Sequence, residues 1–263
     1  MLKVVGFDGG WGGQNVANYL AEELGVIEIE CVIDNNPYPY ELLSLEEICT
    51  LAEKSLKPYL GKVDLIVLGG YMSSLALDTL RNRHPSQRFV GMSIDYRLIY
   101  KTRRRPQTIT IMGDKPLVRL PIWTELRNRL PEVSLIAPDC SGWESLIDMG
   151  EMSPEIIKSE LSKHFYLADE QFILQEARAP TIDQPREERV PFIKKFWRRT
   201  ARTVSELIQT DTILLLNTHY WDLKPVLERF FGRHVRVLDF RRKLLHDVCL
   251  ALNLRGLDGR LGE

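Results

Sequence analysis

The chain has 263 residues, 44% of them hydrophobic and 27% charged, with a formal net charge of -1 at pH 7. This is the balance of one large globular domain or two smaller ones, and it excludes an overall field that would recruit nucleic acid or an anionic membrane. No apolar run approaches the roughly 20 residues of a membrane-spanning helix, and four scattered cysteines (Cys31, Cys49, Cys140, Cys249) without a CxxC pair point to a reducing cytoplasm rather than a disulfide framework or zinc cluster.

Taken in order, the segments alternate between strand and helix. "LKVVGF" reads as a strand and turn rather than a secretory signal, and Gly-rich "DGGWGG" leads into a helix over "QNVANYLAEEL". "IEIECVID" is strand-like, and "SLEEICTLAEKSLKPYL" has helical spacing with Ser44 and Glu47 placed as a capping box. "VDLIVLGG" is a buried-type strand, "SLALDTLRNRH" a helix and "RFVGMSI" a further strand. A second series starts near residue 106 with strand "QTITIMG", helix "PIWTELRNRL" and strand "VSLIAP". "SPEIIKSELSKHF" reads as a helix capped by Ser153, and polar, Pro-containing residues 166–190 as a long loop. The helix "FIKKFWRRTARTVSELIQ" and the strand "TILLL" follow. The basic runs Lys101 to Arg105 and Lys194 to Arg199 read as solvated faces. Strands alternating with helices predict an α/β fold with mainly parallel sheets covered on both faces.

Ligands in such folds sit beyond the carboxyl ends of the strands, so the loops after strands are the informative ones. "FDGGWGG", Phe7 to Gly13, exposes backbone amides near a helix start and is neither a GxGxxG fingerprint nor a P-loop. "LGGYMSS", Leu68 to Ser74, and "LNTHYWD", Leu216 to Asp222, are the other two; in the last, His219 is a candidate acid, base or donor.

In that order, "VGFDGGWGG", "DNNPYPYE", "VSLIAPDCSGWESLIDMGEM" and "DTILLLNTHYWDLKPVL" resemble segments of the aspartate/glutamate racemase family, over residues 2 to about 232. The resemblance implies two similar α/β domains facing each other across a substrate cleft, with no cofactor. It places residues 1–97 with 211–263 in a first domain and 98–210 in a second. It also implies a homodimer and a small carboxylate or amino-acid ligand.

The family's chemistry uses two thiols on opposite faces of the substrate α-carbon, one removing a proton and the other delivering one. Here their positions hold Gly70, which has no side chain, and Asn217, whose amide does not exchange protons usefully. Tyr71 and Met72 replace a neighbouring Asn-Thr pair, Gly9 replaces a Ser beside Asp8, and Asp114 and Leu117 replace two threonines. Lys115 adds a further candidate acid/base group. A dicarboxylate beside Asp8, Glu41 and Asp114 would meet like charge. Asp8, Tyr40, Thr218 and His219 persist.

The expected ligand-binding set is therefore Asp8, Gly9, Tyr40, Glu41, Gly70, Tyr71, Asp114, Asn217, Thr218 and His219, with no metal. The reading is a homologue that has lost thiol racemisation and keeps a cleft for a small ligand or partner. The alternative is an isomerase or lyase acting on a small carboxylate through Asp8, Asp114 and His219. Trp11, Trp143 and Trp221 fall in the cleft loops and are expected to fill the cleft.

Overall fold

The computed structural model describes residues 1–34, 40, 43–100, 108–113, 121–137, 140, 143, 147, 210–231 and 235–254. Strands β1 (Leu2–Asp8), β2 (Ile27–Ile33), β3 (Leu65–Leu68) and β4 (Phe89–Gly91) form a parallel sheet in the order β2-β1-β3-β4. A second parallel sheet has the order β6-β5-β7-β8, from β5 (Thr108–Met112), β6 (Ser134–Ile136), β7 (Thr212–Leu215) and β8 (Arg236–Leu238). Strands β3 and β7 are buried at every residue, as continuous apolar runs in helix-covered parallel sheets should be.

The helices are α1 (Gly12–Leu24), α2 (Leu45–Leu56), α3 (Tyr71–Ser74), α4 (Leu77–Arg83), α5 (Tyr96–Tyr100), α6 (Pro121–Arg129), α7 (Lys224–Phe231) and α8 (Arg241–Ala251). A 3-10 turn (Thr218–Leu223) joins β7 to α7. The capping box of α2 forms as its sequence dictates: Glu47 N donates to Ser44 Oγ at 3.3 Å, and Ser44 N donates to Glu47 Oε2 at 2.8 Å. Helix α1 ends at Gly25, whose φ of 60° places it in the left-handed region that glycine tolerates.

Two expectations need correction, and two elements were missed. Residues 211–263 do not all accompany the first sheet, because β7 and β8 belong to the second. Asp211 anchors β7 there: its amide donates to Thr108 O at 3.0 Å, and its carboxylate accepts from Thr108 N at 2.9 Å. The helix read over "SLALDTLRNRH" is the shorter α4, and the loop read over "LGGYMSS" carries a further short helix, α3. Strand β8 and helix α8 were not anticipated. The helices read at 153–165 and 192–209, the loop 166–190 and both basic runs lie outside the described residues, as do Glu41, Asp114 and Lys115.

Three buried clusters hold the elements together. One lies on the α2 side of the first sheet, built from Phe7, Ile48, Leu56, Ile66, Leu68 and Leu80. One lies behind the second sheet, built from Met112, Trp143, Ile213, Tyr220 and Leu227. The third spans both sheets: Val4, Val67 and Val90 of the first, Ile109, Ile111 and Leu214 of the second, and Leu244, Leu245 and Val248 of α8 in one continuous cluster.

Candidate functional site

Asp8 closes β1, Gly70 follows β3, and Asn217 to His219 follow β7, so three strand ends present these residues. Asp8 and Gly70 come from the first sheet and Asn217 to His219 from the second. The structure brings them together. A methyl built on Gly70 would lie 2.3 Å from Asp8 Oδ1 and 2.7 Å from Oδ2, far inside van der Waals contact. The space a side chain at position 70 would need is filled by the Asp8 carboxylate.

That carboxylate is held from several sides. Gly9 N donates to Asp8 Oδ1 at 2.9 Å. A methyl on Gly12 would meet Thr218 Oγ1 at 2.2 Å, Asp8 Oδ2 at 2.9 Å and His219 Nε2 at 3.5 Å. Only a glycine hydrogen fits where the start of α1 meets the 3-10 turn across the cleft. A carboxylate, a hydroxyl and an imidazole thus surround one point. Sequence reasoning had not singled out Gly12; its place in "DGGWGG" was the available signal.

Asn217 serves the backbone. Its Oδ1 accepts from His219 N at 2.9 Å, capping the 3-10 turn, and Tyr220 N donates to Asn217 O at 3.1 Å. His219 is 7% exposed. The turn after β3 is fixed by two serines that were also not singled out. Gly70 N donates to Ser73 Oγ at 3.0 Å, Ser74 Oγ donates to Gly70 O at 2.6 Å, and Met92 N donates to Ser74 Oγ at 2.7 Å. Glycine at 70 is thus part of a rigid loop.

The aromatic residues separate into different roles. The Tyr40 ring lies against Gly9, and its hydroxyl donates to Asp34 Oδ2 at 2.9 Å. Burial, then Asp34, push that hydroxyl far above its ordinary range. Tyr71 packs against the shared core, where burial and the nearby Glu125 also raise its hydroxyl, and Met72 packs on the core behind the first sheet. Trp143 is buried edge-on to Tyr220 in the second sheet's own core. Trp221 is buried edge-on to Tyr19, with Arg241 stacked 5.5 Å from its ring centre and its indole N–H without an acceptor among the described residues. Trp11, expected to fill the cleft, is 65% exposed instead, because it sits at the N-cap of α1 on the outer side of the glycine turn.

None of the four cysteines lies in these loops. Cys49, Cys140 and Cys249 are buried in the hydrophobic clusters. Cys31, half-buried on β2, lies with Asp8 beside Gly13; burial and then the Asp8 charge push its thiol up. Among the described residues no group of three or more His, Cys, Asp or Glu is arranged to hold a metal ion.

No family model matches the chain, but individual proteins do. The glutamate racemase of Lactococcus lactis subsp. cremoris (strain MG1363) is 20% identical over 249 residues, covering 94% of this chain and 78% of that protein. The glutamate racemase of Lactococcus lactis subsp. lactis (strain IL1403) is 21% identical over 256 residues, covering 96% and 80%. Escherichia coli glutamate racemase, solved with L-glutamate and the activator UDP-MurNAc-Ala, matches with a TM-score of 0.63 at 16% identity over 96% of this chain and 82% of that chain. The chain shares the fold of the glutamate racemases. The Thermus thermophilus glutamate racemase, in complex with β-chloro-D-alanine, agrees at a TM-score of 0.59 and 19% identity, over 97% and 82% of the two chains. The two positions at which the sequence resemblance expects thiols, Gly70 and Asn217, follow strands of different sheets.

Proposed function

We propose that this glutamate racemase homologue does not racemise amino acids by a thiol pair, and that it keeps the cleft to bind a small ligand or a partner. The observation that carries the reading is the Asp8 carboxylate packed where a side chain at position 70 would stand. It is supported by Asn217, whose acceptor oxygen is committed to capping the 3-10 turn. A thiol pair needs a thiolate on one face of an α-carbon and a thiol on the other. The first position here offers a glycine against a carboxylate, and the second an amide.

Incubating the protein with D- and L-glutamate and aspartate in D2O, and following the α-proton by NMR, tests this directly. The expected result is no exchange above the protein-free rate. Clear exchange with either enantiomer would sink the reading.

One arrangement favours a second function, acid/base chemistry on a small carboxylate. Asp8, Thr218 and His219 converge on one point at Gly12. Under that reading a panel of small carboxylates contains one that exchanges a proton, and Asp8→Asn and His219→Asn each abolish the exchange. Membrane insertion is no part of either reading, since no described helix is long and apolar enough to cross a bilayer. We place the protein in the cytoplasm, in keeping with four cysteines that form no disulfide.

A further inference from the structure

A groove lies away from the cleft, at the amino-terminal end of β4, where the α4–β4 turn meets the last turn of α8. Its volume is about 390 Å³, and Arg81, Pro85, Arg88, Phe89, Ala251 and Asn253 line it. Both guanidiniums are tied to main-chain carbonyls of different elements. Arg81 donates through Nε and Nη2 to Phe89 O, at 3.2 and 2.8 Å. Arg88 donates through Nη1 to Ala251 O, at 2.9 Å. Gln87 fixes the turn between them, accepting from Gly61 N and donating to Val63 O and Arg88 O.

We propose that this groove is an anion site for a small phosphate-bearing molecule. Each guanidinium has five N–H donors in a planar fork, and the main-chain bonds occupy only part of each set. Because these bonds already hold the side chains in place, binding forfeits little further rotamer freedom. No carboxylate is among the described residues that line it. Among the described residues the carboxylate paired with either arginine, Asp78, lies 3.8 Å from Arg81 Nη1 and is 92% exposed, so it neutralises little. The carboxyl end of the α8 dipole would oppose an anion, and Arg88 offsets it by capping Ala251 O. A phosphate, with oxygens in tetrahedral array, can face two forks approaching from different elements, whereas a single planar carboxylate matches one. Pro85 and Ala251 add apolar wall for the body of the molecule.

Calorimetric titration of the intact protein with inorganic pyrophosphate, at constant ionic strength, tests the proposal, with succinate as a parallel probe. Saturable binding of pyrophosphate, weaker for succinate, is expected. Arg88→Gln and Arg81→Gln should each weaken it by about ten- to a hundredfold, the range for lost charge-assisted bonds. Arg88→Lys, which keeps the charge without the fork, should recover part of the loss. Arg88→Gln removes only an exposed side chain bonded to one helix-end carbonyl, so it provides a folded variant even if Arg81→Gln melts early. The proposal is overturned by absence of saturable binding, by an Arg88→Gln variant that binds like the parent, or by succinate binding more tightly than pyrophosphate.

Discussion

Asp8 and Gly70 are a fitted pair, and each dictates what the other can be. Gly70→Ala must displace a carboxylate held by Gly9 N and crowded by Gly12 and Gly13, so a loss of about 1–3 kcal/mol is expected in denaturant unfolding. Asp8→Gly in the same chain should recover about 1 kcal/mol or more of it, since residues in contact couple at this scale; strictly additive losses would mean the two do not compete for space. That positions 70 and 217 hold glycine and asparagine was legible from residue identity alone. The occupation of the space at position 70 by Asp8 was not, because it depends on how two loops distant in sequence stack side by side. Trp11 was misread for a related reason: composition places a tryptophan in a loop, but only the turn geometry decides which side of the loop it faces. Asp239 makes a different kind of prediction. Burial raises its carboxyl, but the Arg241 guanidinium and the Lys224 ammonium outweigh that and hold it below the ordinary carboxylate range. A depressed folded value means its contribution is complete above the unfolded value of about 4 and is lost as pH falls through the folded one. Asp239→Asn should therefore cost about 3 kcal/mol near neutrality, by leaving two cations without their partner. The variant's deficit relative to the parent, followed by thermal melts down the pH scale, should shrink below about pH 4.

Among the elements, the 3-10 turn at Thr218–Leu223 depends on one cap. Asn217→Ala removes the acceptor for His219 N and is expected to cost about 1 kcal/mol, whereas Asn217→Asp, which keeps an oxygen there, should cost a few tenths. Asn217→Cys should behave like the alanine variant in the same melts, so restoring a thiol would also loosen the turn that presents His219. Equal stability of all three variants would show that the cap carries no weight. Elements with a clear periodicity or cap were legible: β1, β3 and β7 as apolar runs, and α2 from Ser44 and Glu47. Strand β8 has only three residues and two of them are half-buried, so alternation had no room to show. Helix α8 opens on "RRK" after Phe240, which cannot cap it; Asp239, one residue earlier, accepts from Arg241 N, and the helix takes its place from the cluster it packs on.

The whole molecule is bound by the cluster shared between the sheets. Because Leu244 of α8 joins Val90 and Ile111 in that cluster, Leu244→Ala should destabilise the protein by about 2–5 kcal/mol. The loss should appear in a single unfolding transition; two separated transitions, with only one shifted, would show that the sheets unfold independently. The two-sheet architecture was legible from the alternation of segments and from the ordered motifs. The sheet membership of β7 was not, because a four-residue apolar strand fits either sheet and the choice rests on pairing with β5 and on Asp211. The return of α8 to β4 also bears on how the chain is made. On a ribosome, β1 to β4 emerge long before residues 241–252, and until then Val90 and Met92 lack the helix that covers them. The nascent first half therefore carries a bare apolar face through most of translation, open to chaperone capture, and a stalled or truncated product is left sticky rather than half-finished.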